Sequence, residues 1–136
     1  MVTSEVVYVG ELSTEATHAR SSSQLTTDAP IDNNGLGRTF SPTDLLATSL
    51  ASCMLTIMGI RANESKLDIS GTTADVTKVM ASNPRRVEEV KVDLKIKDRN
   101  LTDAQKKVLE KAAQTCPVAL SLSETLKQTV SFSYHK

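Results

Sequence analysis

The stretch from Ser41 to about Ala62 leaves a folding chain few options. Ser41-Pro42-Thr43-Asp44 reads as a helix start. Ser41 can cap, Pro42 suits the first helical position, and Asp44 can reach back to complete a capping box. Beyond it lie Leu45, Leu46, Leu50, Met54, Leu55, Ile57, Met58 and Ile60, with Ala47, Ala51 and Gly59 between them. These apolar residues surround most of the helix circumference, so the rest of the chain is expected to wrap a buried central helix. The most apolar part, Leu45 to Ile60, is broken by Thr48, Ser49, Ser52 and Thr56 and falls short of the roughly 20 residues of a bilayer crossing. No membrane association is expected.

What surrounds that helix reads mainly as strand. Residues 5–20 suggest one or two extended segments, followed by a turn at Ser21-Ser22-Ser23 and a short strand at Gln24–Asp28. Ala29 to Thr39, with Pro30, Asp32-Asn33-Asn34-Gly35 and Gly37, is a loop of residues that tolerate left-handed backbone. Leu67 to Met80 reads as a strand with a break near Gly71, and Asn83-Pro84 as a turn. Val90, Val92, Leu94 and Ile96 alternate with Lys91, Asp93, Lys95 and Lys97, which implies a sheet with one wet face.

Thr102 and Gln105 form a second capping-box pattern, ahead of an inner stripe of Val108, Leu109 and Ala112. Cys116-Pro117 interrupts that helix, a short helix is expected over about 118–126, and Val130, Phe132 and Tyr134 close the chain as a strand. Short turns between neighbouring strands argue for antiparallel pairing with helices gathered on one face. The expected class is α+β, in one domain spanning 1–136.

Charge and composition exclude some functions. Sixteen basic residues balance sixteen acidic ones, and the aromatics are only Tyr8, Phe40, Phe132 and Tyr134. There is neither a field to attract nucleic acid nor a set of faces on which bases could stack. Met1 to Glu5 lack the basic and apolar regions of a signal peptide, so a cytoplasmic location is expected. In that compartment thiols stay reduced, which argues against a structural disulfide between Cys53 and Cys116.

The two cysteines differ locally. Cys116 precedes Pro117 and so sits at a helix N-terminus, where the dipole and free N–H groups favour a thiolate. Cys53 falls mid-helix, a position that by itself suits a buried structural cysteine. A metal site is disfavoured, because the chain offers only two cysteines and two histidines and neither Cys-x-x-Cys nor His-x-x-x-His spacing. Cys–His hydrolysis has only His18 as a partner and is equally weak. Dithiol redox chemistry remains. It needs a cation to stabilise a thiolate and a second thiol to resolve a sulfenic acid. Arg20 is a candidate cation, and a solvated loop arginine is its plainer reading.

Gly37-Arg38-Thr39-Phe40-Ser41-Pro42-Thr43-Asp44-Leu45-Leu46, then Ala51-Ser52-Cys53, then Cys116-Pro117-Val118 resemble the OsmC/Ohr family, the osmotically inducible and organic hydroperoxide resistance proteins. The resemblance spans nearly the whole chain. It implies an intertwined homodimer that reduces organic hydroperoxides without a bound cofactor, using a small dithiol or a lipoylated protein as external reductant. It also implies that Cys53 is the peroxidatic thiol, Cys116 the resolving thiol and Arg20 the activating arginine. That order reverses the local electrostatic ranking.

Two departures stand out. Ohr-type members carry a glutamate directly after the helix-opening proline, where Thr43 stands here and the acid follows as Asp44. Met54 follows Cys53 where an aromatic is common. The pattern fits the OsmC-like branch, and Asp44 reads either as a site acid or as the closing acid of the capping box. A non-catalytic dimer that binds a small apolar ligand is the alternative function.

Overall fold

The helix that begins at Ser41 forms as expected. In the computed structural model, which describes residues 1–136, α1 runs Pro42–Glu64. The Asp44 N–H donates to Ser41 Oγ at 3.0 Å, and Asp44 Oδ2 accepts from the Ser41 N–H at 2.9 Å. This reciprocal pair is the capping box read from the sequence. The helix is not sheathed on every side, however. Ala47, Leu50, Ala51, Met54, Met58 and Ala62 are buried, while Leu46 is 37 % and Ile60 50 % exposed. At 23 residues, α1 is also long and apolar enough to cross a bilayer, contrary to the length argument above. Its buried face instead packs into an apolar core with a sheet.

The chain divides into two compact units, Met1–Leu46 and Ala47–Lys136. The first holds an antiparallel sheet of β1 (Ser4–Gly10), β2 (Ser13–His18) and β3 (Gln24–Asp28), with β2 central. The loop that follows contains a short 3-10 turn at Ile31–Asn33 and folds back tightly on itself. The Gly35 and Gly37 N–H groups reach the carbonyls of Pro30 and Ala29 at 2.9 and 3.2 Å. A Cβ at Gly35 would lie 1.8 Å from the Ala29 oxygen, so only glycine fits there.

The second unit contains β4 (Thr73–Ala81), β5 (Arg86–Lys97), α2 (Asp103–Gln114), α3 (Pro117–Ser121) and β6 (Lys127–His135). The sheet order is β4-β5-β6. Val90, Val92, Leu94 and Ile96 of β5 are fully buried beside Leu50, Met54, Met58, Leu109, Ala113 and Cys116. The alternation seen in the sequence therefore marks the centre of the core.

Four expectations are corrected. The sheets are not all antiparallel, since β6 pairs parallel to β5, from Glu89 opposite Lys127 to Lys97 opposite His135. The intervening helices carry the chain back to the end of the sheet where β5 began, and parallel pairing requires such a crossover. The strand read from Leu67 starts only at Thr73, because a turn closed by the Thr72 N–H on the Ile69 carbonyl at 3.0 Å and by Gly71 at φ +92° precedes it. Val108 lies 53 % exposed, and Ala113 takes its place in the buried stripe with Leu109 and Ala112. The last helix stops at Ser121, where Leu122 turns extended and Ser123 Oγ accepts the Thr125 N–H at 3.2 Å, a local bond that competes with helix.

Candidate thiol site

Cys53 sits midway along α1, half-buried and packed against the core cluster. Cys116 is the N-cap residue of α3 and wholly buried. Its backbone is extended (φ −69°, ψ 152°), Pro117 occupies the first helical position, and Cys116 Sγ accepts the Ala119 N–H at 3.4 Å. Both cysteines are free, and Cys53 lies near enough to the Cys116 thiol to disfavour its ionisation. Two positions that are 63 residues apart in sequence thus form one thiol pair inside the second unit.

The electrostatics of Cys116 differ from the sequence expectation. Burial pushes its thiol above the ordinary cysteine range, and the neighbouring Cys53 adds to that effect. The Ala119 N–H pulls the other way, as a helix N-terminus should, but desolvation is the larger influence. A five-residue helix has too few aligned peptides to reverse it. Cys53 is the more accessible thiol of the pair.

The other two predicted residues belong to the first unit. Arg20 is exposed in the turn between β2 and β3. Beside it, His18 Nδ1 meets Ser21 Oγ at 2.6 Å in an exposed contact. Asp44 uses carboxylate Oδ2 in the cap of α1.

Sequence reasoning missed a polar cluster in the same unit. Asp28, at the end of β3, is almost fully buried and receives Arg38 Nε at 2.9 Å on Oδ2 and Arg38 Nη2 at 3.1 Å on Oδ1. The Arg38 N–H donates to Oδ2 at 2.8 Å, and Ser13 Oγ bonds to Oδ1 and accepts from Arg38 Nη2 at 3.2 Å. Arg38 and Ser13 hold the Asp28 carboxyl well below the usual carboxylate range. The residues lie ten and fifteen positions from Asp28, with no periodic signal joining them. The glycine-rich loop between Asp28 and Arg38 was the one available hint.

Residues 35–131 match the family described as OsmC-like protein. The chain therefore belongs to the OsmC-like family. It is similar to a protein of Psychrobacter arcticus 273-4, provisionally named for osmotic stress induction and detoxification response. Identity there is 53 % over 98 % of this chain and 96 % of that one, with a TM-score of 0.93. An OsmC-like protein of Mycoplasma pneumoniae shares the fold at 21 % identity, covering 98 % of this chain and 96 % of that one, TM-score 0.77. An organic hydroperoxide resistance protein of Elizabethkingia anophelis does so at 16 % identity, covering 99 % and 98 %, TM-score 0.75. Among curated proteins none matches significantly.

Proposed function

We propose that the protein is a peroxide-defence enzyme, reducing organic hydroperoxides with its two cysteines. The observation that carries this reading is a pair of neighbouring free thiols, one half-buried and the other buried. The family and its relatives named for organic hydroperoxide resistance supply the substrate class. The Cys53 thiolate attacks the distal peroxide oxygen, the O–O bond breaks, and the alcohol leaves with a proton. The Cys116 thiol then attacks the resulting sulfenic acid, forming a disulfide and releasing water. An external dithiol, free or carried on a lipoylated protein, returns both thiols and leaves as its own disulfide. Arg20 is assigned the thiolate-stabilising charge, and Asp44 the task of fixing the start of the helix that carries Cys53.

We further propose that the working form is a homodimer. Val6, Val7, Tyr8 and Val9 of β1 are 49–66 % exposed on both faces of that strand. A three-stranded sheet with such a strand leaves apolar area unsheltered, and a second copy is the simplest cover for it.

Consumption of tert-butyl hydroperoxide with a dithiol donor tests the enzyme reading. Cys53→Ser should abolish turnover, and Arg20→Ala should lower it at least tenfold. Cys116→Ser should leave a sulfenic acid on Cys53 that dimedone traps. Wild-type turnover in Cys53→Ser would overturn the mechanism.

The second reading, a binder of small apolar ligands, would use a concavity of about 290 Å³ with an apolar side of Leu55, Gly59, Leu67 and Ile69 and a polar side of Asn63, Asp68, Ser70 and Thr72. Alkylation decides between them. In a binder, Cys53 reacts only after denaturation; in the enzyme, it reacts in the native protein.

A further inference from the structure

The thiol pair joins two elements of very different stiffness. Cys53 is anchored midway along a helix of 23 residues whose inner face is locked into the core. Cys116 opens a helix of five residues, too short to persist on its own propensity. Cap and side-chain bonds hold the two ends of α3. The Ala119 N–H donates to Cys116 Sγ at 3.4 Å, and the Leu120 N–H to the Cys116 carbonyl at 3.1 Å. Ser121 Oγ reaches the Pro117 carbonyl at 2.7 Å, and Gln128 Nε2 the Ala119 carbonyl at 3.0 Å. Ala119 is buried and Val118 and Leu122 pack against the core, while Leu120 is 73 % exposed. The sulfur that would form the disulfide is also the sulfur that caps this helix.

We infer that formation of the Cys53–Cys116 disulfide unseats the cap of α3 and loosens Pro117–Ser121, opening a path to Cys116 that the reduced protein lacks. The inference rests on the thiol pair acting as proposed above. A covalent bond draws the two sulfurs closer than a thiol–thiol contact and restricts the torsion about each. The displacement falls on the softer element, so Cys116 Sγ turns away from the Ala119 N–H while α1 stays in place. An unbonded helical N–H with no other partner then favours opening to water.

This motion answers a chemical need of the same site. A reductant thiolate has two sulfurs to attack. If it attacks Cys53, Cys116 must leave as a thiolate in a buried site where burial disfavours that charge. If it attacks Cys116, Cys53 leaves from a half-exposed position, the easier departure. In that route the reductant sulfur bonds to Cys116 Sγ, the S–S electron pair departs on Cys53, and the second thiol of the reductant displaces Cys116. The reductant becomes a disulfide, two electrons pass, and both protein thiols are restored. Only an opened α3 exposes Cys116 to that attack.

Amide exchange of the full-length chain tests the inference. Reduced protein is compared with protein oxidised by one equivalent of tert-butyl hydroperoxide, and the loss of two hydrogens in the mass confirms the disulfide. Ala119 and Leu120 should exchange at least tenfold faster in the oxidised form, with the mid-α1 amides unchanged. Equal exchange in a fully oxidised sample overturns the inference. So does the same acceleration in peroxide-treated Cys53→Ser, which cannot form the bond. If only diamide forms the disulfide, the hydroperoxide reading fails, and the exchange of that sample still decides the inference. If neither oxidant joins the cysteines, both readings fall.

Discussion

Residues 47–136 bury Leu50, Met54, Met58, Leu94, Ile96 and Leu109 together, whereas residues 1–46 bury Ser13, Thr27, Asp28 and Ser41 and leave the valines of β1 in solvent. One unit is organised by apolar area removed from water, a non-directional force that tolerates small errors in geometry. The other is organised by a carboxylate held in a guanidinium fork, which loses its value if any partner moves. The contrast teaches that burial alone does not describe a core. The apolar unit holds the main buried core and carries the thiol pair. The polar unit fixes the shape of a loop and leaves Val6, Val7, Tyr8 and Val9 of its sheet exposed.

That contrast can be broken in several places. Leu94→Ala removes a fully buried side chain from the middle of the apolar core and should cost about 2–5 kcal/mol in urea unfolding. A loss below about 1 kcal/mol would mean that β5 does not organise the unit. Tyr8→Asp places a charge on the exposed β1 surface and should weaken self-association at least tenfold in sedimentation equilibrium, with α1 helicity intact. A wild-type dimer in that variant would place the interface elsewhere.

Asp28→Asn should lower stability at neutral pH, where the ionised carboxylate holds Arg38, and should flatten its acid dependence. The folded Asp28 carboxyl ionises at a lower pH than in the unfolded chain. Its contribution is therefore complete above the unfolded value near 4, and is lost progressively as pH falls through the folded value. Acid titrations of wild type and variant that run parallel below pH 4 would deny Asp28 that role. The smallest change expected is Thr102→Ala, which removes the capping box of α2, seen as the Gln105 N–H on Thr102 Oγ1 at 3.1 Å. It should cost about 1 kcal/mol, read as a lowered urea midpoint.

How legible each part was follows from the same physics. The starts of α1 and α2 could be read because a capping box places all its chemistry within four consecutive residues. The centre of β5 could be read because strand alternation is a local period. The parallel pairing of β6 could not, since the direction of a returning strand depends on where two helices deposit it. The thiol pair was reached by setting aside metal and hydrolytic chemistry, the resemblance assigned the two roles, and the electrostatics of Cys116 were misjudged. The dipole at Cys116 is a sequence-local quantity, but the desolvation that outweighs it comes from the apolar core in which the fold buries the thiol. The Asp28–Arg38 clamp had no period at all.

The parallel seat of β6 beside β5 has a consequence for the chain while it is being made. Val90, Val92, Leu94 and Ile96 leave the ribosome well before Val130, Phe132 and Tyr134, with residues 98–126 to be translated between them. At ordinary elongation rates that interval is on the order of seconds. Throughout it, one flank of the most deeply buried strand in the protein is an open hydrogen-bonding edge, available to any neighbouring nascent chain. Overexpression should therefore trap this protein in inclusion bodies through β5, and slower synthesis at low temperature with fewer neighbouring chains should relieve it.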